Sequence, residues 1–412
     1  MKSKKITIIT ANYYPEETAI GLYTTQFSEY LNTNNFEITI LTGFPYYPKW
    51  EIPKDYKIKS QFYEEHINGI RVVRFKQYVP SKVTFLGRIL MILSFNFGLV
   101  INLFKLKKSD LVICIVPFTT NCIVGKLYSV LHKAKFWIHL QDFEFDLLID
   151  SGIGSKKSWF THLFFKVLLK TERIILNSAD VVSTISNSML NKVHEKSNSK
   201  NTFLFPNWIS VTNINPEISK NHPFFNQLKY NLLYSGNIGE KQDWDFFVAF
   251  CKLINKEDNI QITIVGNGGY YEKLVEKSKE FEFIQFKDVV PYNELPDLLC
   301  SADLHFLFQK SDVVDSVMPS KLLGMMASAK PSIITGNKDS EVAKIFKENN
   351  LSGFFSENNS KEVVDYLKEI KKEKNIASQI GEKAKHFVLD NFSENTILEN
   401  FEAKINSIIE EK

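Results

Sequence analysis

The chain has 412 residues, more than the roughly 250 to 300 that a single hydrophobic core usually serves, so we expect two domains. Hydrophobic residues make up 44% and charged residues 24%, without repeats or low-complexity tracts, which excludes a disordered tail and a repeat array. The net charge of +3 is uneven: residues 1–208 carry 26 Lys and Arg against 16 Asp and Glu (+10), and the remainder carries 24 against 31 (−7). We expect the basic half to meet an anionic surface or a phosphate-bearing substrate, with a solvated basic face as the alternative.

The cysteines and the N-terminal segment indicate the cellular compartment in which we expect the protein. The four cysteines lie inside apolar runs without CxxC spacing, so we expect reduced core residues at Cys114, Cys122, Cys251 and Cys300. The apolar run that follows the N-terminal lysines, at residues 6–10, is too short for a signal peptide. We therefore expect the protein to stay in the cytoplasm.

Short apolar or β-branched runs recur along both halves of the chain, with helix-like stretches between several of them. Such runs predict strands at 6–11, 37–42, 70–74, 110–116, 135–140 and 180–185, and again at 230–236, 261–266, 283–287, 303–308 and 331–335. The alternation predicts two Rossmann-like α/β domains, each with a mainly parallel sheet covered by helices.

Loop chemistry after Trp208 marks the crossing between the two series. We predict an N-terminal domain over residues 1–208 and a C-terminal domain over 209–391. Apolar residues at helical spacing predict a closing amphipathic helix over 392–412, which we expect to pack back on the N-terminal domain.

Glycine-containing turns precede predicted helices in both halves. In the first half, Gly21 precedes a helix predicted to begin near Leu22 and could bring backbone N–H groups against a phosphate, although a plain turn would need the same glycine. In the second half, Gly236-Asn-Ile-Gly239-Glu-Lys241 combines a flexible turn with a cation and a following helix. A diphosphate needs that combination, and a loop with a solvated lysine is the alternative.

Two later segments could also face a ligand. Val265-Gly-Asn-Gly-Gly269 opens the carboxyl edge of a sheet, but Glu272 stands where a full GxGxxG fingerprint has glycine. Pro319 or Ser320 can begin a helix whose N–H groups suit a diphosphate or a ribose; an ordinary capped helix has the same pattern.

A histidine, His139, ends the predicted strand 135–140, and acidic groups follow at Asp142, Glu144 and Asp146. Parallel-sheet enzymes bind substrate at this edge, so we interpret His139 as functional, with a packed structural histidine as the alternative.

Two basic and apolar segments favour peripheral membrane attachment. Residues 89–104 form an apolar stretch bracketed by lysine and arginine, too short and too polar to span a bilayer, which predicts a helix that is partly core and partly membrane-facing. Residues 156–170 form a basic, aromatic helix of the kind that lies on anionic lipid.

Taken together, these motifs resemble the retaining GT-B glycosyltransferases of family 4, most closely the colanic-acid WcaI-like and O-antigen N-acetyl-L-fucosamine transferases. The resemblance spans nearly the whole chain and is carried by Asn12-Tyr-Tyr-Pro-Glu16, Ile20-Gly21, Pro45-Tyr-Tyr-Pro48, His139-Leu-Gln-Asp142, Phe205-Pro-Asn-Trp208, Tyr234-Ser-Gly-Asn-Ile-Gly-Glu-Lys241 and Pro319-Ser-Lys321.

The resemblance implies two domains facing each other across a cleft, with a UDP- or GDP-sugar bound by the C-terminal domain and no metal or other cofactor. The N-terminal domain would bind a saccharide linked to undecaprenyl diphosphate, at the cytoplasmic face of the membrane, and no nucleic acid. The relatives suggest N-acetyl-L-fucosamine or L-fucose as the sugar. The resemblance and the motifs together assign catalysis to His139, Lys241 and Lys321, donor binding to Ile20, Gly21, Gly236, Asn237, Gly239, Gly266, Gly268, Val290, Asp315, Pro319, Ser320 and Leu322, and acceptor binding to Glu16, Tyr46, Asp142 and Glu144.

Two positions depart from the wider family. Its diphosphate-binding arginine is Asn237 here, and Lys321 replaces the second glutamate of its paired-glutamate motif, which removes a ribose-binding carboxylate. Asp315 lies six residues before Lys321 and not eight. Lys321 can supply the positive charge that Asn237 lacks.

The expected mechanism follows from the leaving group. Lys241, Lys321 and helix N-termini would stabilise the departing diphosphate while the acceptor hydroxyl attacks the same face of an oxocarbenium-like sugar. A GT-B-shaped nucleotide-sugar epimerase and a non-catalytic nucleotide-sugar-binding scaffold remain the alternatives.

Overall fold

The computed structural model describes residues 3–16, 19–82, 84–146, 159–210, 214–312, 319–356 and 359–411. The chain divides into two compact units. The N-terminal unit comprises Met1–Pro206 with Leu398–Lys412, and the C-terminal unit comprises Asn207–Ile397. The observed division after Pro206 lies beside the expected crossing after Trp208.

Apolar, largely buried strands build the sheet of the N-terminal unit. They are β1 (Lys4–Ile9), β2 (Phe36–Gly43), β3 (Phe62–Ile67), β4 (Ile70–Phe75), β5 (Leu111–Val116), β6 (Lys135–Leu140), β7 (Val181–Thr184) and β8 (Thr202–Leu204). Their order is β3-β4-β2-β1-β5-β6-β7-β8, and every neighbouring pair is parallel except β3 with β4. Because β5 reads Leu-Val-Ile-Cys-Ile-Val and is buried throughout, it forms the middle of a sheet covered on both faces.

Helices connect these strands on both faces of the sheet. They are α1 (Ala19–Thr33), α2 (Lys54–Lys57), α3 (Phe85–Leu103), α4 (Asn121–His132), α5 (Trp159–Asn177) and α6 (Asn187–Lys196). Helix α1 connects β1 to β2, which lies on the β3 side of β1 in the sheet. Helices α3, α4 and α5 connect β4 to β5, β5 to β6 and β6 to β7, and each of these connections moves toward the β8 edge. Since such crossovers are right-handed, α3, α4 and α5 share one face and α1 covers the other.

The C-terminal unit repeats this architecture. Its strands are β9 (Tyr230–Ser235), β10 (Ile260–Val265), β11 (Ile284–Lys287), β12 (Leu304–Phe308), β13 (Ser332–Thr335) and β14 (Phe354–Phe355), in the order β11-β10-β9-β12-β13-β14 with all pairs parallel. Its helices are α7 (Trp244–Cys251), α8 (Tyr271–Lys277), α9 (Leu295–Ser301), α10 (Ser320–Ala327), α11 (Glu341–Glu348), α12 (Ser360–Lys372) and α13 (Lys374–Phe392). The last helix, α14 (Glu394–Glu410), belongs to the N-terminal unit from Leu398 onward.

The closing helix α14 has the expected amphipathic character. Leu398, Phe401 and Ile405 are buried, and the Phe401 ring stacks on Phe205 with their centroids 4.0 Å apart. Phe401 also meets Trp137 edge to face. These contacts lie within the N-terminal unit.

Each predicted strand coincides with an observed one, and the three strands that were not predicted, β3, β8 and β14, are all at sheet edges. β3 reads Phe-Tyr-Glu-Glu-His-Ile and no residue in it is buried. Edge strands bury too little surface to need the apolar run by which strands were predicted.

All four cysteines are buried and form no disulfide, as expected. The side chains of Cys114 and Cys122 lie within hydrogen-bonding distance of each other. Burial raises the pKa of the Cys114 thiol, and a hydrogen bond with Cys122 adds to the effect.

Candidate functional site

Two glycine turns lie side by side at the carboxyl edge of the C-terminal sheet. Gly236 follows β9 and Gly266 follows the adjacent strand β10, and both have positive φ, 145° and 149°. A Cβ atom on Gly266 would collide with the carbonyl oxygen of Gly236. Glycine is therefore required at 266 both for the backbone conformation and for the close approach.

Backbone hydrogen bonds join the two turns. The Gly236 amide donates to the Val265 carbonyl over 2.9 Å, and the Ile238 amide donates to the Asn267 carbonyl over 2.9 Å. The Tyr270 amide returns a bond to the Ile238 carbonyl over 3.0 Å. We call residues 236–238 and 266–270 together the glycine platform. The platform brings together four predicted donor-binding residues: Gly236, Asn237, Gly266 and Gly268.

The ammonium of Lys321 lies against this platform. Lys321 is in the first turn of α10, which begins at Ser320 after the cap residue Pro319. A Cβ atom on Gly236 would lie 3.2 Å from Lys321 Nζ, so the cation rests beside the Gly236 turn. Two motifs that are 85 residues apart in the sequence (321 − 236) thus meet at one position. A cation beside closely approachable backbone suits a diphosphate.

Tyr234, at the end of β9, holds Lys321 and the platform together. Its ring is buried, its hydroxyl donates to the Asn237 carbonyl over 2.6 Å, and the same hydroxyl accepts a hydrogen bond from Lys321 Nζ over 3.0 Å. Nζ also lies 4.8 Å from the ring centroid. Because burial raises the pKa of Tyr234, its hydroxyl stays protonated and available for both bonds.

Lys241 lies at the same sheet edge, in the loop that leads into α7. Its side chain is exposed, and its carbonyl accepts a hydrogen bond from the Lys310 amide over 3.1 Å. The neighbouring Asp243 caps α7 by accepting a bond from the Phe246 amide over 2.9 Å. Pairing with the segment after β12 therefore fixes the backbone of Lys241 while its ammonium remains accessible.

Three other predicted donor residues have different surroundings. Gly239 is engaged within its own loop, because its amide donates to Gln242 Oε1 over 3.1 Å and its carbonyl accepts from Trp244 Nε1 over 2.9 Å. Leu322 is fully buried in the core, and its amide donates to the Pro319 carbonyl. Val290, after β11, is half-buried against the core. Asp315 lies outside the described residues.

His139 lies near the end of β6 in the N-terminal unit and is almost completely buried. Its Nδ1 is 2.9 Å from Ser183 Oγ, which also accepts a hydrogen bond from Trp137 Nε1 over 2.7 Å. The amide nitrogen of Gln141 donates to His139 Nε2 over 2.9 Å. Since an amide nitrogen only donates, this arrangement places the ring proton on Nδ1. Burial lowers the pKa of His139 to about 3, so the ring is neutral at physiological pH.

Glu16 and Tyr46, which we predicted to contact the acceptor, make local contacts between two loops. Glu16 Oε1 accepts hydrogen bonds from the amides of Tyr46 and Tyr47, each over 2.7 Å, and Oε2 accepts one from Asn12 over 2.9 Å. Tyr46 is buried with its ring against Trp50. The carboxylate thus joins the loops after β1 and β2. Of the two adjacent tyrosines, Tyr47 has the exposed ring, and the sequence pattern did not distinguish it from Tyr46.

Gly21 lies within the first turn of α1, which begins at Ala19 and not near Leu22 as expected. A Cβ atom at Gly21 would collide with the carbonyl oxygen of Glu16. Close approach of the preceding loop therefore requires glycine at this position. Ile20, in the same turn, is half-buried.

The acidic residues that follow β6 have different surroundings. Glu144 Oε2 accepts hydrogen bonds from the amides of Phe118 and Thr119, over 3.1 Å and 2.8 Å, so its carboxylate anchors the loop after β5. Burial raises the pKa of Glu144, and the bonds from Thr119 oppose that rise. Asp142 is exposed and remains a candidate for acceptor contact.

Comparison with known proteins decides the family. The chain is 32% identical, over 83% of its length and 85% of the relative's, to WcaI of Escherichia coli (strain K12), a protein named for colanic acid biosynthesis and glycosyl transfer. The family model described as "Glycosyl transferases group 1" matches residues 216–387. The chain belongs to the group 1 glycosyltransferases.

Solved structures place this glycosyltransferase in the GT-B fold. Sucrose-phosphate synthase from Thermosynechococcus elongatus superposes with a TM-score of 0.73 at 13% identity, covering 98% of this chain and 99% of that one. HepE of Anabaena, in complex with UDP and glucose, superposes with a TM-score of 0.68 at 12% identity, covering 98% and 100%. At these identities the likeness bears on the fold.

The geometry of the glycosyltransferase also reveals residues that the sequence did not single out. Tyr234 belongs to the motif that ends at Lys241, and no spacing pattern connects it with Lys321. Ser183 and Gln141 fix the orientation of His139. The buried Arg74 donates to the carbonyls of Tyr14 and Gly43, and so supports the loops held by Glu16. Such partners become visible only when the chain is folded.

Proposed function

We propose that this glycosyltransferase moves a sugar from a nucleotide diphosphate sugar to a lipid-linked saccharide, with retention of configuration, in the synthesis of a bacterial surface polysaccharide. The observation that carries the proposal is the position of the Lys321 ammonium beside the Gly236 turn. Closely approachable backbone and a fixed cation together form a site for the two phosphates of the donor.

Stabilisation of the leaving diphosphate is the proposed source of catalysis. Charge accumulates on the diphosphate as the bond to the sugar breaks, and Lys321 is already held in place by Tyr234. Such a preorganised cation stabilises the transition state without a reorganisation cost. Lys241, exposed at the same sheet edge, would add a second charge. The acceptor hydroxyl would then attack the same face of an oxocarbenium-like sugar.

A neutral His139 suits hydrogen bonding to a sugar hydroxyl better than proton donation. The ring holds no proton on Nε2, where it accepts a bond from Gln141. A sugar hydroxyl could replace Gln141 as the donor to this nitrogen without a change in protonation. We therefore assign His139 to orienting the transferred sugar.

The names of the relatives support the choice of substrates. WcaI is named for colanic acid biosynthesis, and HepE was solved with UDP and glucose. We propose a UDP- or GDP-sugar as donor, with N-acetyl-L-fucosamine or L-fucose as the first sugars to test, and undecaprenyl diphosphate as the lipid carrier of the acceptor.

We propose metal-independent transfer at the inner face of the cell membrane. At the glycine platform the Lys321 ammonium lies beside the Gly236 turn, and such a cation can bind phosphate directly. Attachment to the membrane would bring the active site to an acceptor whose carrier lipid lies in the bilayer.

Incubation of the purified protein with candidate nucleotide sugars tests the proposal. With UDP- or GDP-N-acetyl-L-fucosamine and a lipid-linked saccharide, we expect a glycosylated lipid product and free nucleotide diphosphate. Conversion of the nucleotide sugar without any acceptor would indicate an epimerase instead. Nucleotide binding with no turnover across the panel would indicate a scaffold, and either result would overturn the proposed transfer.

A further inference from the structure

Helix α3 exposes a continuous apolar stripe. Its exposed apolar residues follow one another at spacings of four and three, which is the period of one helix face, at Leu86, Leu90, Leu93, Phe97, Val100 and Phe104 at its end. The opposite face, with Met91, Phe95 and Leu99, is buried. Phe97 is 62% exposed although it is a large aromatic side chain. Buried and exposed faces are thus both apolar, which is unusual for a helix that faces water.

Neighbouring helices extend the same surface. α4 exposes Ile123, Leu127, Val130 and Leu131, and Asn96 of α3 donates to Thr120 Oγ1, just before α4, over 2.8 Å. α5 adds exposed apolar residues at Leu163, Val167 and Ile174. Because α3, α4 and α5 cover one face of the sheet, their stripes lie in one layer. We call these exposed residues of the three helices the apolar face.

Exposed cations border the apolar face, and acidic residues are absent from its first two helices. Neither α3 nor α4 contains Asp or Glu. The cations lie at the helix ends, with Lys82 and Arg88 near the start of α3, Lys105, Lys107 and Lys108 after its end, and Lys133 after α4. Apolar side chains surrounded by lysine and arginine match the acyl chains and anionic headgroups of a lipid monolayer.

We propose that the apolar face docks in the plane of an anionic lipid bilayer, with Leu93, Phe97 and Leu127 entering the acyl region and the bordering cations contacting lipid headgroups. This inference names the surface for the proposed membrane attachment. Vesicle binding is measured without sugar transfer, so either can fail while the other holds.

The in-plane orientation follows from how α3 is packed. Contrary to the expectation from residues 89–104, the observed helix is long and apolar enough to cross a membrane by length and composition, and 39% of its most apolar window is buried inside the protein. Phe95 packs edge to face on Phe118, and Gly98 lies so close to the Phe75 ring that a Cβ atom there would collide with it. A helix held along one side by its own sheet can offer the other side to a membrane surface.

Flotation of the full chain with vesicles tests the inference. Vesicles of phosphatidylglycerol and phosphatidylethanolamine should carry the wild type, and vesicles of phosphatidylcholine should carry less of it. The double variant Leu93→Glu with Phe97→Glu should lower the partition coefficient about tenfold or more, because two exposed apolar side chains lose their acyl contacts. A second double variant in α4, Leu127→Glu with Val130→Glu, should behave in the same way, so the test does not depend on the folding of one variant.

A matched control replaces two exposed apolar residues of the C-terminal unit with glutamate. Ile218 and Leu228, in the C-terminal unit, are 70% and 84% exposed. The double variant Ile218→Glu with Leu228→Glu adds the same negative charge and should float like the wild type. Equal flotation of the α3, α4 and control variants would overturn the inference. A second result would also overturn it: without lipid, the wild type has the mass of two chains and the α3 variant has the mass of one. The apolar face would then be a contact between two copies of the chain.

Discussion

The ammonium of Lys321 lies 3.0 Å from the hydroxyl of Tyr234, and the two residues come from different elements of the C-terminal unit. The same hydroxyl donates to the carbonyl of Asn237 over 2.6 Å. One buried side chain therefore sets both the position of the cation and the course of the Gly236 turn. Lys321 occupies a position where the resemblance to family 4 leads one to expect a glutamate. At this position the chain has a cation that is held by a tyrosine.

Removing the Tyr234 hydroxyl tests this arrangement. In the variant Tyr234→Phe, the ring remains and Lys321 loses the hydrogen bond to the Tyr234 hydroxyl. A hydrogen bond to a charged group contributes about 1.5 to 3 kcal/mol, so we expect the affinity for the donor nucleotide to fall roughly tenfold or more. Isothermal titration gives the affinity, and kcat should fall as well, because the cation that Tyr234 holds stabilises the transition state.

A second buried tyrosine supplies the control for Tyr234. Among the described residues, the Tyr366 hydroxyl is buried without a hydrogen-bond partner, and it belongs to α12. The variant Tyr366→Phe should therefore bind the nucleotide like the wild type. If both variants bind it equally well, Tyr234 does not position Lys321.

The close approach of the two glycine turns makes a steric prediction. Gly266→Ala forces a Cβ atom onto the Gly236 carbonyl in a backbone conformation that alanine rarely adopts. We expect a loss of about 2 kcal/mol or more in the free energy of unfolding, with weaker nucleotide binding. Gly269→Ala is the matched control, since a Cβ atom there has no atom within 4 Å. Denaturant unfolding should separate the two, and a Gly266→Ala protein as stable as Gly269→Ala would contradict the packing.

Burial of two histidines predicts a loss of stability in mild acid. The folded pKa values of His139 and His305 are both lowered from 6.5 to about 3, mainly by burial. Between these values the unfolded chain binds protons that the folded chain does not, so the free energy of unfolding falls as the pH falls through 6.5. Each histidine should cost about 1.4 kcal/mol between pH 7.5 and pH 5.5.

The variant His139→Gln isolates one of these contributions. Its free energy of unfolding should depend less on pH by about 1.4 kcal/mol over the same interval, because only His305 still resists protonation. Denaturant unfolding at the two pH values measures the difference. A pH dependence equal to that of the wild type would mean that His139 is not buried as a neutral ring.

Lys241 is predicted to act on the transition state. Its removal in Lys241→Ala takes away a charge near the leaving diphosphate, and kcat/KM for the donor should fall roughly 100-fold, as when a single stabilising group is deleted. Lys252 follows the opposite end of α7 and is also exposed. The variant Lys252→Ala should retain wild-type turnover. Steady-state kinetics with the donor identified by screening would decide, and equal turnover of the two variants would exclude Lys241 from catalysis.

Much of the fold could be predicted because it depends on local patterns. Central strands such as β5 need an uninterrupted apolar run, and the edge strand β3 does not, so the first was predicted and the second was missed. The glycine turns were also predictable, since the conformations at Gly236 and Gly266 are ones that other residues rarely adopt.

Contacts between distant residues could not be predicted in this way. Tyr234 and Lys321 are 87 residues apart, and neither has a spacing that indicates the other. Glu16 and Glu144 were predicted from the motifs and the family resemblance to bind the acceptor, and the backbone amides from other loops that hold both carboxylates were not predicted. A buried carboxylate with amide partners has no local sequence signal, since its partners come from elsewhere in the chain.

The central claim is that a nucleoside diphosphate binds where Lys321 meets the Gly236 turn. Isothermal titration of UDP and of GDP into the wild type and into Lys321→Gln tests it most directly, because neither the sugar nor the acceptor needs to be known. We predict that one of the two nucleotides binds the wild type and binds the variant roughly tenfold or more weakly, since a charge-assisted contact is lost. Equal affinity in the two proteins, or no binding of either nucleotide to the wild type, would contradict the claim.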